Sequence, residues 1–197
     1  MSGTDSTLRL IELTSATLCH DIGSLVGSLS DDADALKLQN PLLKRLTARL
    51  ALRGAAWGPE GEPLTLARMR SLARGLPKQV LVEASALERD TVFAASAGRI
   101  VLNLLLLAAD SLPNGGAVML AGSADDLFVR IAGPAAAWPA GMALCLANET
   151  EARFALNAWS APQMALTALL GHAAGIRLSV LFSPTEQNVP AIVRLGG

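Results

Sequence analysis

Apolar residues in the first third of the chain recur at helical intervals. Between Thr7 and about Leu36 they fall at Ile11, Leu18, Ile22, Leu25, Leu29 and Leu36. These spacings of three, four or seven predict a long helix with one apolar seam. Ser15 and the run from Asp31 to Asp34 weaken it. After a loop near 37–40, Pro41 suits a helix start, and Leu43, Leu46, Leu50 and Trp57 carry a second helix to about residue 57. A short loop makes the two antiparallel neighbours. A hairpin with one seam cannot bury both of its faces alone, so dimerisation into a four-helix bundle is the economical solution.

The rhythm changes at "GPEGEP" (Gly58 to Pro63), where two Gly and two Pro in six residues mark a linker. A helix is predicted over about 64–76, a strand over 79–84, and a long helix from about Thr91 to Ser111 with Asp90 as its cap. "GGAVMLAG" and "LFVRIAG", separated by "SADD", read as a β-hairpin. "SAPQ" at Ser160 to Gln163 resembles a capping box opening a helix to about Ala174, with Gly175 as its stop. "IRLSVLF" and "VPAIVRL" close the chain as strands. The pattern predicts an α+β fold in two parts, a helical hairpin over 1–58 and a mixed domain over 63–197.

Composition narrows the chemistry. The 197 residues are 51% hydrophobic, ample for a buried core, and the formal net charge is -1 with no long Lys/Arg run. No nucleic-acid surface is therefore implied. The longest apolar stretch, Ile100 to Ala109, spans about ten residues where a bilayer needs about 20, and "MSGTDSTLRL" carries neither a basic nor an apolar targeting region. A cytoplasmic protein with no membrane partner is expected. Cys19 and Cys145 sit far apart in apolar surroundings and read as free buried thiols. His20 and His172 have no metal-ligand spacing around them, so no metal site is expected. There is no GxSxG, GxxxxGK[ST] or GxGxxG.

The chemistry that remains centres on "LCHDIGSLVGSL", Leu18 to Leu29. With Leu18 and Ile22 on the seam, His20 lies two residues from each, about 200° around the helix, and faces outward. Its helical neighbours Ala16, Thr17, Gly23, Ser24 and Gly27 are all small. Each interior glycine costs roughly 1 kcal/mol relative to Ala, and a plain solvated face has no reason to prefer it. An exposed imidazole is a nucleophile near neutral pH. The adjacent Asp21 can accept its Nδ1 proton, which leaves Nε2 free to attack and stabilises the cation that forms. Asp21 is thus a candidate orienter or base.

This run resembles the H-box of the dimerisation and phosphotransfer domains of histidine kinases, and most closely that of the ChpT family of alphaproteobacterial histidine phosphotransferases, typically CHDLxSPxGA. Cys19, His20, Asp21, Ser24, Val26 and Gly27 occupy matching positions, while Leu25 stands where that family has Pro. "RLALRGAAWG" (Arg49 to Gly58) is similar to the end of the family's second helix, and "VLNLLLLAADSLPNGG" (Val101 to Gly116) to its degenerate ATPase-like segment. The resemblance implies a homodimeric four-helix bundle followed by a degenerate histidine-kinase-ATPase-like α/β sandwich. It further implies that His20 takes a phosphoryl group from the receiver aspartate of a hybrid histidine kinase and passes it to the aspartate of a response regulator. Thr17, Gly23, Ser24, Gly27 and Ser28 would then give a docking receiver its clearance. No cofactor of the chain's own is implied; Mg²⁺ would come with the receiver. Arg45, Arg49 and Arg53, four apart on the second helix, would attract an acidic receiver surface or serve as a solubilising flank.

A kinase would load its own histidine from ATP. Kinases follow the N-box Asn, four residues on, with a second Mg²⁺-ligating Asn, whereas Asn103 is followed there by Leu107. "AGPAAAWPAG" (Ala132 to Gly141) contains no DxGxG. The expectation is a phosphorelay intermediate without an ATP site, the alternative being a non-catalytic dimeric scaffold that binds receivers.

Overall fold

The computed structural model describes residues 11, 12, 15, 22, 23, 41–158, 161–181 and 192–196, with only the backbone of residue 42. The stretch that carries His20 lies mostly outside these; within it, residues 11, 12, 15, 22 and 23 are helical. The predicted helix after Pro41 is present as α1 (Pro41–Trp57). Leu52 and Ala56 on it are fully buried, whereas Leu46, placed on the seam by its spacing, is 41% exposed in the single chain.

After the linker, β1 (Leu64–Thr65) pairs antiparallel with β3 (Val92–Phe93). Between them lie α2 (Leu66–Ala73), whose first turn is capped by Thr65 Oγ1 accepting from the Arg68 amide at 3.2 Å, and β2 (Val80–Ala86). The pairing of β3 moves the start of the next helix. It runs as α3 (Ala95–Asp110) rather than from Thr91, and its N-cap is Ala94, not Asp90. The reason is Phe93, which is wholly buried as a strand residue and would be lost from the core if helix began at Thr91. α3 buries eleven of its sixteen residues, so it is surrounded rather than amphipathic.

The predicted hairpin is β4 (Gly116–Gly122) and β5 (Asp126–Ala132), antiparallel with Val118 opposite Ile131. Two short helices follow that the sequence pattern does not predict, α4 (Met142–Ala147) and α5 (Glu149–Asn157). Asn148 Oδ1 caps α5 by accepting from the amides of Thr150 and Glu151. α6 (Pro162–Ala174) ends on Gly175 in the left-handed region, φ +66°, as its position predicts. The expected capping box at its start is absent: Ala161 is the N-cap and makes no side-chain bond, Pro162 already fits the first turn, and the Gln163 side chain is engaged elsewhere. β6 (Arg177–Leu181) and β7 (Ile192–Gly196) complete the described chain.

The five-stranded sheet has the order β2-β4-β5-β7-β6. β2 runs parallel to β4, with α3 in the crossover, and the other pairs are antiparallel. Its inner face presents Val118, Leu120, Leu127, Val129, Ile131, Val193 and Leu195, all nearly fully buried. α3 lies against β4 and α6 against β6, while α1 packs on α3 and α2. The architecture is α+β, with helices over one face of a mixed sheet. The other face carries exposed Arg194, its guanidinium bonded to both Asp126 oxygens at 2.6 and 2.9 Å and 5.7 Å from the Phe128 ring centre.

Candidate functional site

Of the residues singled out around the nucleophile, Thr17, His20, Asp21, Ser24, Gly27 and Ser28 lie outside the described residues. Gly23 is helical and exposed, and a Cβ added to it would meet nothing within 4 Å. Among the described residues nothing therefore requires a glycine there. Its neighbour Ile22 is 41% exposed. On α1, Arg45, Arg49 and Arg53 are all exposed along one helix. Arg53 is engaged within the chain, its guanidinium 5.2 Å from the centre of the Trp57 ring. Its charge also offsets in part the rise that burial imposes on the carboxyl pKa of Asp110, at the end of α3. Arg45 and Arg49 stand further toward the N-terminal end.

The last turn of α1 ends in a polar cluster, the most developed one among the described residues. A helix C-terminus leaves carbonyls without intrahelical partners, and where the chain buries them something must donate. Arg99 and Asn103, one turn apart in a largely apolar α3, do so. Asn103 is completely buried, and its Nδ2 donates to the Ala56 carbonyl at 2.7 Å and to the Arg99 carbonyl at 2.9 Å. Arg99 donates from Nε to the Ala56 carbonyl and from Nη2 to the Trp57 carbonyl, both at 3.4 Å. Its Nη1 makes a 2.6 Å ion pair with Glu12, on the segment leading to His20. Both side chains are largely shielded, Arg99 at 10% and Glu12 at 22% exposure, so the pair is not the weak, screened kind found on surfaces.

Gln163 closes the cluster from α6. Its Nε2 donates to Asn103 Oδ1 at 3.0 Å, and its Oε1 accepts from the Trp57 indole at 3.2 Å. Asn103 thus spends both donors and its oxygen within the chain, and among the described residues no buried side-chain nitrogen or oxygen is left without a partner. From the sequence alone, Asn103 reads as the N-box residue of a degenerate ATPase-like segment and Gln163 as part of a helix-opening capping box. Two polar residues four apart in so apolar a helix were the available signal, since both fall on one face and both need buried partners.

His172 lies on α6 and its Nε2 donates to the Cys145 carbonyl at 3.0 Å, tying α6 to α4. Cys145 is a free, buried thiol, its pKa pushed up by burial and then by the charge of Glu151. Among the described residues no three His, Cys, Asp or Glu side chains cluster as a metal site, and no helix is long and apolar enough to cross a membrane.

Comparison with known proteins places this geometry among relatives. The family model described as histidine phosphotransferase C-terminal domain matches residues 66–186. No curated protein sequence matches the chain. Among solved structures, a bacterial phosphotransferase is 21% identical over 99% of this chain and 97% of its own, with a TM-score of 0.49. Full-length ShkA in complex with AMPPNP is 14% identical over 93% of this chain and 44% of its own, with a TM-score of 0.43.

Proposed function

Because the chain belongs to the histidine phosphotransferase family through its residues 66–186, we propose that it is the intermediate of a two-component phosphorelay, with His20 as the residue that carries the phosphoryl group. The family match is the observation that carries this reading. It is supported by the CHD run at Cys19 to Asp21, by the open surface at Gly23 and by the exposed arginines of α1.

In this mechanism the neutral imidazole attacks through Nε2. The bond from phosphorus to the receiver's aspartate oxygen breaks as the N–P bond forms, and the electron pair returns to that carboxylate. The Nδ1 proton stays on the ring, where Asp21 accepts its hydrogen bond and stabilises the positive charge. The same steps in reverse load the aspartate of a response regulator. Each receiver brings its own Mg²⁺, which offsets phosphoryl charge. Thr17, Gly23, Ser24, Gly27 and Ser28 leave room for the receiver's loops, and Arg45, Arg49 and Arg53 draw in its acidic face. The hairpin over 1–58 pairs with that of a second copy as a four-helix bundle, and Leu46 and Ile22 supply part of its seam. The part over 63–197 corresponds to a kinase ATPase-like domain in which Asn103 serves the fold instead of a nucleotide. The protein works in the cytoplasm.

The test is incubation with a phosphorylated receiver and Mg²⁺. The wild-type chain gains an acid-labile, alkali-stable phosphate that His20→Ala cannot gain, and His172→Ala gains it normally. A wild type that binds receivers but stays unlabelled would instead establish the scaffold alternative. Labelling from ATP alone would restore the kinase.

A further inference from the structure

The Arg99–Asn103 cluster joins three things that are far apart in sequence: the end of α1, the segment at Glu12 that leads to His20, and the helical layer over the sheet. A guanidinium is a flat fork whose donors point in fixed directions. That of Arg99 uses Nε and Nη2 on α1 and Nη1 on Glu12, so both arms of the predicted hairpin are gripped by one rigid group. Asn103 and Gln163 hold the same turn of α1 from behind.

The leverage is considerable. α1 has 17 residues, about 25 Å at 1.5 Å per residue, so a swing of about 10° at the cluster moves its far end by about 4 Å. Phosphoryl transfer tolerates far less, since a misplacement of about 1 Å can cost about 100-fold in rate.

We propose that Arg99 and Asn103, backed by Gln163, are positioning residues for phosphotransfer, because they lock α1 and the His20-bearing segment at one angle to the sheet. The body of the protein, and not the two helices alone, then sets the direction from which a docked receiver meets the imidazole. This inference rests on the relay reading above.

Two phosphoryl donors separate positioning from simple structural support. Phosphoramidate, which releases ammonia as the Nε2–P bond forms, needs only an accessible imidazole. A phosphorylated receiver needs the docked geometry. Glu12→Ala and Gln163→Ala are expected to label from phosphoramidate within about twofold of wild type. Their kcat/KM for transfer from the receiver is expected to fall about tenfold or more. Glu12→Asp, which keeps the charge, recovers most of the loss in Glu12→Ala. An equal fall with both donors, or receiver transfer unchanged in both variants, overturns the positioning role. A wild-type chain that labels from phosphoramidate but from no receiver overturns the relay reading itself.

Discussion

Replacing Asn103 by Ala removes two donated hydrogen bonds, to the carbonyls of Ala56 and Arg99, and one accepted from Gln163. The Arg99 carbonyl keeps its place in the helix ladder. The Ala56 carbonyl keeps only the longer 3.4 Å bond from Arg99 Nε, and Gln163 Nε2 keeps its bonds to the backbone carbonyl of residue 103 and to Thr167 Oγ1, both at 3.3 Å. The bonds are worth roughly 1 kcal/mol each, and the lost carboxamide leaves a void of about 30 Å³ that adds about 0.7 kcal/mol at 24 cal/mol per Å³. The sum is about 3.7 kcal/mol. With an m-value of about 2 kcal/mol/M this lowers the urea midpoint by about 1.8 M, and it lowers Tm by about 7–15 °C. The assay is urea unfolding followed by circular dichroism at one fixed protein concentration, because association would itself shift the curve. Asn103→Leu serves as the control: it has the same branching and fills the space, so it should recover only the void's share and remain clearly destabilised. A Leu variant as stable as wild type would show that the amide does not hold the end of α1.

Three further outcomes follow from local geometry. Gly98→Ala would set its Cβ 2.5 Å from the Leu64 Cβ and should cost about 1–3 kcal/mol, whereas Gly23→Ala should gain about 1 kcal/mol of helix stability while slowing transfer from a receiver; thermal melts that rank the two the other way would refute the packing argument. Asp126 is held below the ordinary carboxylate range by its hydrogen bond from Arg194, so its contribution is present above the unfolded value of about 3.9 and is lost as pH falls through the lower folded value. Arg194→Ala should move its NMR titration upward, and an unmoved titration would refute the pairing. In a Cys19→Ser background Cys145 should react slowly with iodoacetamide in the native protein and rapidly in urea, because burial keeps the thiol protonated; a native rate equal to that of a free thiol contradicts it.

What the sequence made legible was whatever local chemistry decides. Leu43 to Trp57, the apolar run of α3, the hairpin flanking "SADD" and the stop at Gly175 each carry their own periodicity or turn residue, and each appears where expected. The parallel pairing of β2 with β4 was not legible, because Val80, Val82 and Ala84 alternate in the same way whichever direction a neighbour runs. α4 and α5 were missed behind "AGPAAAWPAG", whose Pro and Gly suggest only loop, although Asn148 ahead of Glu149 and Glu151 is an ordinary helix opening. The predicted start of α3 ran too early because Phe93 answers to a partner strand some thirty residues upstream. The site divides in the same way. His20 and Asp21 are adjacent in sequence and could be read as a unit, whereas Glu12, Arg99, Asn103 and Gln163 acquire meaning only when the fold brings them together.

The bond from the Trp57 indole to Gln163 spans 106 positions of sequence. A ribosome adding about 5–20 residues per second needs roughly 5–20 s to deliver the second partner after the first. For that interval the nascent α1 lacks its tie to α6, and in the first part of it, until α2 and α3 have followed, Leu52 and Ala56 also lack the helices that later cover them. Slow codons between α1 and α6 would lengthen that exposure, favouring chaperone capture or aggregation without altering a single residue.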